Sequence, residues 1–154
     1  KVKKENDTNV PLLLKISPDI KDDYISIISN IALKNNISGI ILTNTTNDNR
    51  NRLTSELKKE EGGLSGEPLK QLSTNIIKKF YKILNGKIPI IGVGGITSGK
   101  SAYEKIIAGA SLLQLYTGLV YKGPSIVKDI KKELINILKV EGLSNIKEAV
   151  GKSL

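Results

Sequence analysis

The sequence predicts an α/β fold of four successive βα units, and three observations carry that reading. Short apolar runs alternate four times with longer stretches of helical period. The runs are apolar on both faces, as strands of a parallel sheet covered by helices must be. Each run also ends on polar or glycine residues: Lys15, Thr43-Asn44-Thr45, Gly94-Gly95 and Tyr116-Thr117.

The first strand is Leu12 to Ile16, broken only by Lys15 and closed by Pro18 and Asp19. Tyr24, Ile25, Ile27, Ile28, Ile31 and Ala32 then recur at helical spacing. Ser38 to Thr43 is β-branched and apolar, a second buried strand, and the polar segment Thr46 to Glu61 after it has no clear period. A second helix spans about Leu69 to Leu84, with Leu72, Ile76, Ile77, Phe80, Tyr81 and Leu84 on one face and Gly86 as its stop. Ile88 to Val93 is the third strand, and Ser98 opens a helix to Ala108. Ser111 to Tyr116 is the last strand, Ser125 to Val140 the last long helix, and Ser144 to Val150 a short tail helix capped by Ser144.

Four such units make either a small open sheet or half of an eight-unit barrel. In a barrel, the C-terminal ends of the strands form one rim, and the polar strand ends here ask for one. The expectation is an α/β, (β/α)8 TIM barrel of which this chain supplies about the last four βα units. Residues 1–10 then read as the polar end of a loop, and 11–154 as the C-terminal half. Alone, a half-barrel would expose two strand edges, an invitation to aggregate.

With 154 residues, 39% hydrophobic and 25% charged, the chain has the length and composition of one globular domain. Cysteine, histidine, methionine and tryptophan are absent. Disulfides, thiolate metal sites, Cys nucleophiles and His-based triads are therefore excluded within it, and no metal site is expected. The missing methionine leads us to expect a trimmed piece of a longer product. No apolar run approaches the ~20 residues of a membrane helix. The net charge of +9 invites a nucleic-acid reading, but the lysines are scattered and only 4% of residues are aromatic. A solvated lysine surface is the better reading, with no nucleic acid as partner.

The sharpest motif is Pro89-Ile-Pro-Ile-Ile-Gly-Val-Gly-Gly-Ile96, followed by Thr97, Ser98 and Gly99. Glycines at a strand exit let backbone N–H groups approach an anion, and the helix N-terminus beyond adds partial positive charge. Without a ligand it would be a tight strand-to-helix turn. Lys15 is a lone cation in an apolar strand, either snorkelling from an edge or held against negative charge on a ligand. Thr43-Asn44-Thr45-Thr46 presents four hydrogen-bonding side chains, and Asn44 suits an amide or pyrimidine edge. Gly62-Gly63-Leu64-Ser65-Gly66 is a second glycine cluster that could cradle a phosphate or ribityl chain, or simply flex.

Lys15-Ile-Ser-Pro-Asp19, Thr43-Asn-Thr-Thr46, Gly62-Gly-Leu-Ser-Gly66, Ile90-Ile-Gly-Val-Gly-Gly-Ile96, Ala108-Gly-Ala-Ser111 and Gln114-Leu-Tyr-Thr117 follow in register. Together they resemble the C-terminal half of the class 2, quinone-linked dihydroorotate dehydrogenases, from about Pro11 to Ser153. The resemblance implies an FMN-bearing eight-stranded barrel, a flavoprotein oxidoreductase of pyrimidine biosynthesis that oxidises dihydroorotate to orotate. It implies that Lys15 meets the pyrimidine end of the flavin and that Thr43 touches it. Asn44 and Thr45 would bind the orotate ring. Ser65, Gly66, Val93, Gly94, Gly95, Tyr116 and Thr117 would hold the ribityl phosphate and flavin edge.

The family's catalytic base is a serine of the N-terminal half, so no catalytic residue is expected in this chain, and Ser17, Ser65 and Ser98 are not assigned that role. The helical hairpin that admits quinone, with ubiquinone as expected acceptor, and that docks on the membrane belongs to that half too. The implied location is peripheral, on the mitochondrial inner membrane in a eukaryote or the inner membrane of a bacterium. A tRNA dihydrouridine synthase, or a basic binding module without catalysis, are the alternative readings.

Overall fold

The computed structural model describes residues 10–48, 50–51 and 53–154, so the polar opening segment lies outside the described residues. Strands β1 (Leu13–Ile16), β2 (Gly39–Leu42), β3 (Ile90–Val93) and β4 (Leu112–Gln114) form one sheet in the order β1-β2-β3-β4, every pair parallel. Sequence order equals spatial order, as in consecutive units of a (β/α) barrel. The register places Lys15 beside Ile41, Ile41 beside Ile91, and Ile91 beside Leu112.

Helix α1 (Asp22–Lys34) links β1 to β2, and α2 (Lys70–Leu84) links β2 to β3. Helix α3 (Gly99–Ile107) links β3 to β4, and α5 (Ile126–Val140) follows the short α4 (Thr117–Lys122). One face of the sheet is closed by the predicted apolar stripes: Ile16, Ile40, Leu42 and Ile90 pack with Ile25 and Ala32 of α1 and with Ile76, Ile77, Phe80 and Leu84 of α2. A second cluster joins Ile96, Ala102, Ile126 and Ile130 between α3 and α5. Alternate strand residues face the other way, and there Leu13, Lys15, Leu112 and Gln114 are exposed.

The apolar surplus sits at the two sides of the sheet. Tyr24, Ile27 and Ile31 of α1 are exposed, as are Val127 and Ile135 of α5, the helix packed on α3. Contiguous exposed apolar surface marks a contact face, and among the described residues β1 and β4 each keep one unpaired edge.

Three local differences from the sequence reading have simple causes. Helix α4 was not anticipated, because six residues are too few to show a period and Gly118 is a poor helix former. That glycine is required by packing, since a Cβ there would lie 2.5 Å from the Ile96 carbonyl oxygen. In the polar segment after β2, Glu56–Lys59 forms a single 3-10 turn. The tail helix is likewise a 3-10 turn, Ile146–Ala149, capped by Asn145, whose side chain accepts the Lys147 N–H at 2.9 Å. Ser144 instead donates to Glu148 Oε1 at 2.6 Å. The tail docks on the end of α3, where Gly151 and Ser153 donate to the Ile106 and Ile107 carbonyls, groups the helix itself cannot pair.

Lys105 of α3 is fully buried, with its Nζ donating to Thr74 Oγ1 at 2.8 Å and to the Lys70 carbonyl at 3.0 Å. Desolvation lowers its pKa from 10.5 to about 8; Glu104 opposes that fall, Lys70 reinforces it and Glu67 opposes it again. The folded chain therefore binds this proton less tightly than the unfolded chain, and the contribution of Lys105 to stability rises with pH between about 8 and 10.5. Chemical unfolding of the full-length protein at a series of pH values will show it. Relative to Lys105→Met, the wild type should gain on the order of 3 kcal/mol across that window. A constant difference would show that Lys105 keeps its ordinary affinity for protons.

Candidate functional site

The C-terminal ends of all four strands open into a single cavity of about 470 Å³. Its lining includes every residue that the resemblance assigns to flavin or substrate: Lys15, Thr43, Asn44, Thr45, Ser65, Gly66, Val93, Gly94, Gly95, Tyr116 and Thr117. Leu69, Ile96, Thr97, Gln114, Leu115 and Gly118 complete it. The volume is that of a small-molecule or cofactor pocket.

Lys15 is exposed at this rim, and its ammonium has no ion pair or hydrogen bond among the described residues. Thr43 is buried, and its hydroxyl donates to the Asn44 carbonyl at 2.9 Å. Asn44 leaves β2 with its N–H on the Ile16 carbonyl at 2.8 Å, while its Oδ1 accepts the Thr45 N–H at 3.0 Å. The side-chain acceptor is thus used within the loop, and the NH2 donors have no protein acceptor among the described residues. Asp19 fixes the far end of this loop, accepting from the Thr46 hydroxyl and from the Asn47 N–H at 2.9 Å.

The second glycine cluster is pinned, not slack. Leu64 and Thr46 exchange both backbone hydrogen bonds, at 2.8 and 3.1 Å, and Gly63 lies so close to Thr45 that a Cβ would overlap its hydroxyl. Arg50 holds the excursion shut by donating to the carbonyls of Lys58, Glu60 and Gly62. Beyond it, Ser65 Oγ and Thr117 Oγ1 are 2.9 Å apart, joining the cluster to the first residue of α4.

At the exit of β3 the chain turns through Gly94 and Gly95, at φ +113° and +68°. The first turn of α2 presses on this corner. Ser73 Oγ donates to the Val93 carbonyl, and a Cβ on Gly95 would lie 2.4 Å from Lys70 Cβ and 2.7 Å from its Cα. The Gly95 and Ile96 N–H groups find no acceptor among the described residues, although both residues are buried and line the cavity. Buried N–H groups without a partner are rare, so a corner that offers two fits an anionic ligand group.

The start of α3 does not play the part its sequence suggests. Thr97 and Ser98 donate their N–H groups to Ser101 Oγ, Ser101 donates its own to Ser98 Oγ, and Gly99 donates to Glu133 of α5. A capping box and a carboxylate therefore consume these donors, and the glycine corner is left as the anion-facing group. Sequence reading passed over Asp19, Ser73 and Lys105 as site supports. Asp19 lay within a quoted motif, whereas nothing local marks the other two.

The description "Dihydroorotate dehydrogenase" belongs to the family model that matches residues 1–138. The chain is 48% identical over 156 residues to the dihydroorotate dehydrogenase (quinone) of Trichodesmium erythraeum, covering 96% of this chain and 41% of that protein. It is 45% identical over 142 residues to the mitochondrial dihydroorotate dehydrogenase (quinone) of Arabidopsis thaliana, covering 92% and 31%. Among solved structures, ligand-free DHODH from Eimeria tenella superposes with a TM-score of 0.89 at 44% identity, covering 92% of this chain and 40% of that one. The same protein in complex with ferulenol gives 0.89 at 43%. The chain thus spans about two-fifths or less of the length of these relatives.

Gly95→Ala should be far more damaging than Gly62→Ala. Both residues have positive φ, +68° and +118°, but an alanine Cβ at Gly62 meets nothing within 4 Å. Gly62→Ala should therefore lose only about 1 kcal/mol, the conformational term. Gly95→Ala must also push α2 off the corner, and should lose roughly 2–4 kcal/mol. Equal losses in denaturant unfolding of the full-length protein would show that the α2 contact yields freely.

Proposed function

The chain belongs to the dihydroorotate dehydrogenase family, and on that premise we propose that it is the flavin-holding half of a quinone-linked enzyme that oxidises dihydroorotate to orotate. One observation carries the reading: a cation, an amide side chain with spare donors and a glycine corner whose N–H groups, like these, have no partner among the described residues all line the same cavity. When bound, FMN supplies the acceptor for the hydride and the relay of electrons to quinone.

In this reading the residues divide the work by chemistry. Lys15 offers its ammonium to negative charge on the flavin's pyrimidine end, with Thr43 beside it. Asn44 and Thr45 read the polar edge of the dihydroorotate ring, since a carboxamide suits an imide-like pattern of donors and acceptors. Gly94 and Gly95 present backbone to the phosphate, with Val93, Ser65, Gly66, Tyr116 and Thr117 around the ribityl chain. The base that removes the second proton comes from the N-terminal half of the same protein.

That half also accounts for the exposed apolar residues on both sides of the sheet, which completion of the barrel would cover. Contact with a membrane, and with the quinone dissolved in it, belongs to the N-terminal part. The inner membrane, mitochondrial or bacterial, is the corresponding location.

Full-length protein should purify yellow, release FMN on denaturation, and bleach under anaerobic dihydroorotate. Lys15→Ala should keep its flavin but reduce it ~10² to 10³ more slowly in stopped flow, the usual loss for one electrostatic partner. Near-normal reduction at full FMN occupancy would make Lys15 a snorkelling strand residue. Colourless protein that takes up no FMN would end the flavin reading.

A further inference from the structure

Lys105 is a buried cation that the proposed chemistry leaves unused. Its Nζ donates to the Lys70 carbonyl at 3.0 Å and to Thr74 Oγ1 at 2.8 Å, while the Thr74 hydroxyl donates to the same carbonyl at 2.8 Å. Two polar side chains, one from α2 and one from α3, thus close on one peptide group in the first turn of α2. The opposite side of Lys70 forms the wall behind the glycine corner, its N, Cα and Cβ all within 2.9 Å of where a Gly95 Cβ would stand. Leu69 and Ser73, from the same turn, flank Gly94 at 3.1–3.2 Å by the same measure. Lys70 is gripped between Lys105 and the corner.

Hydrogen-bond satisfaction does not require an ammonium there. The Lys70 carbonyl already accepts from Thr74, and an apolar side chain of similar length would fill the space without the desolvation penalty of a buried charge. A costly group in such a place is explained by what it holds in position. The charged side chains around it, Glu104 on its own helix with Lys70 and Glu67 across from it, form ion pairs nearer the surface and do not replace its two hydrogen bonds.

We propose that Lys105 is a positioning residue for the binding site: from behind, it clamps the first turn of α2 against Gly94 and Gly95 and so fixes the N–H surface that meets the anionic group of the ligand. The identity of that group as the flavin phosphate rests on the function proposed above; the clamp itself does not.

The test uses full-length protein labelled with 15N-glycine, with and without FMN, comparing wild type with Lys105→Met. The amide order parameters of Gly94 and Gly95 in flavin-free protein should fall from about 0.85 to below about 0.6. The FMN dissociation constant should rise about tenfold, the effect of losing a hydrogen bond to a charged group. The unfolding midpoint of the flavin-free variant at pH 7 should stay level or rise, because a buried charge has gone. A side chain that serves packing alone would move stability and site order down together, and that result would overturn the proposal. Unchanged order parameters would overturn it whatever FMN does. Thr74→Val, which removes one acceptor and leaves Lys105 in place, should loosen the same two glycines and decides the question if Lys105→Met fails to fold. Wild type that binds no FMN would sink the flavin reading, while the order parameters still decide the clamp.

Discussion

The rim is organised by how closely the first turn of α2 approaches the exit of β3. Gly94 and Gly95 exist as glycines because Leu69, Lys70 and Ser73 occupy the space that side chains would need. That contact aims the chain through two positive-φ residues, where L side chains are disfavoured, and it separates the last sheet-bonded residue from the capping box of α3. Between those fixed points lie the Gly95 and Ile96 N–H groups, which have no place to donate within the described chain. The other parts of the cavity are then added around this corner: Thr117 meets Gly66, Thr45 meets Gly63, and Gly118 seats α4 on the Ile96 carbonyl.

Backbone donors are therefore divided between holding the fold and facing the ligand. Helix N-termini commonly serve anions, yet the first turn of α3 spends its N–H groups on Ser101, Ser98 and Glu133. Those bonds keep α3 and α5 together and make the strand exit rigid from its far side. The same logic governs the loop after β2. Asp19 and the Leu64 pairing consume the donors around Thr46, so that Asn44, further in, keeps its NH2 group for the cavity. In both loops the self-satisfied residues stand outside and the unsatisfied ones face in.

Much of this was legible in the sequence. Strand position and the shared rim of Lys15, Asn44, Gly94 and Thr117 followed from apolar runs that end in polar or glycine residues, because a parallel sheet puts all those ends on one side, whereas Ser65 and Gly66 were placed there by the resemblance. Helix α2 was legible because its stripe holds to a period over four turns. What escaped were features set by contacts between distant segments. Lys105 reads as one more lysine on a basic, solvated surface, and only the packing of α3 on α2 turns it inward. The short α4 is dictated by what lies under Gly118, and its sequence carries no period. The use of the α3 N-terminus hinges on Glu133, which lies 34 residues beyond the glycine it caps.

The exposed apolar residues belong to the same argument as the site. A sheet closed on one face by α1 and α2 could end its edges with charge or proline, the usual means of keeping edges apart. Here the edges carry Leu13 and Leu112, and the outer stripe of α1 is Tyr24, Ile27 and Ile31. Residues of that kind are stable when another apolar layer meets them, and the cavity asks for the same completion. Its lining supplies a cation, an amide and an anion corner, while the Ser65 hydroxyl is already engaged with Thr117. Binding groups on the rim and open apolar edges in the same sheet are features that further strands of a (β/α) barrel would cover.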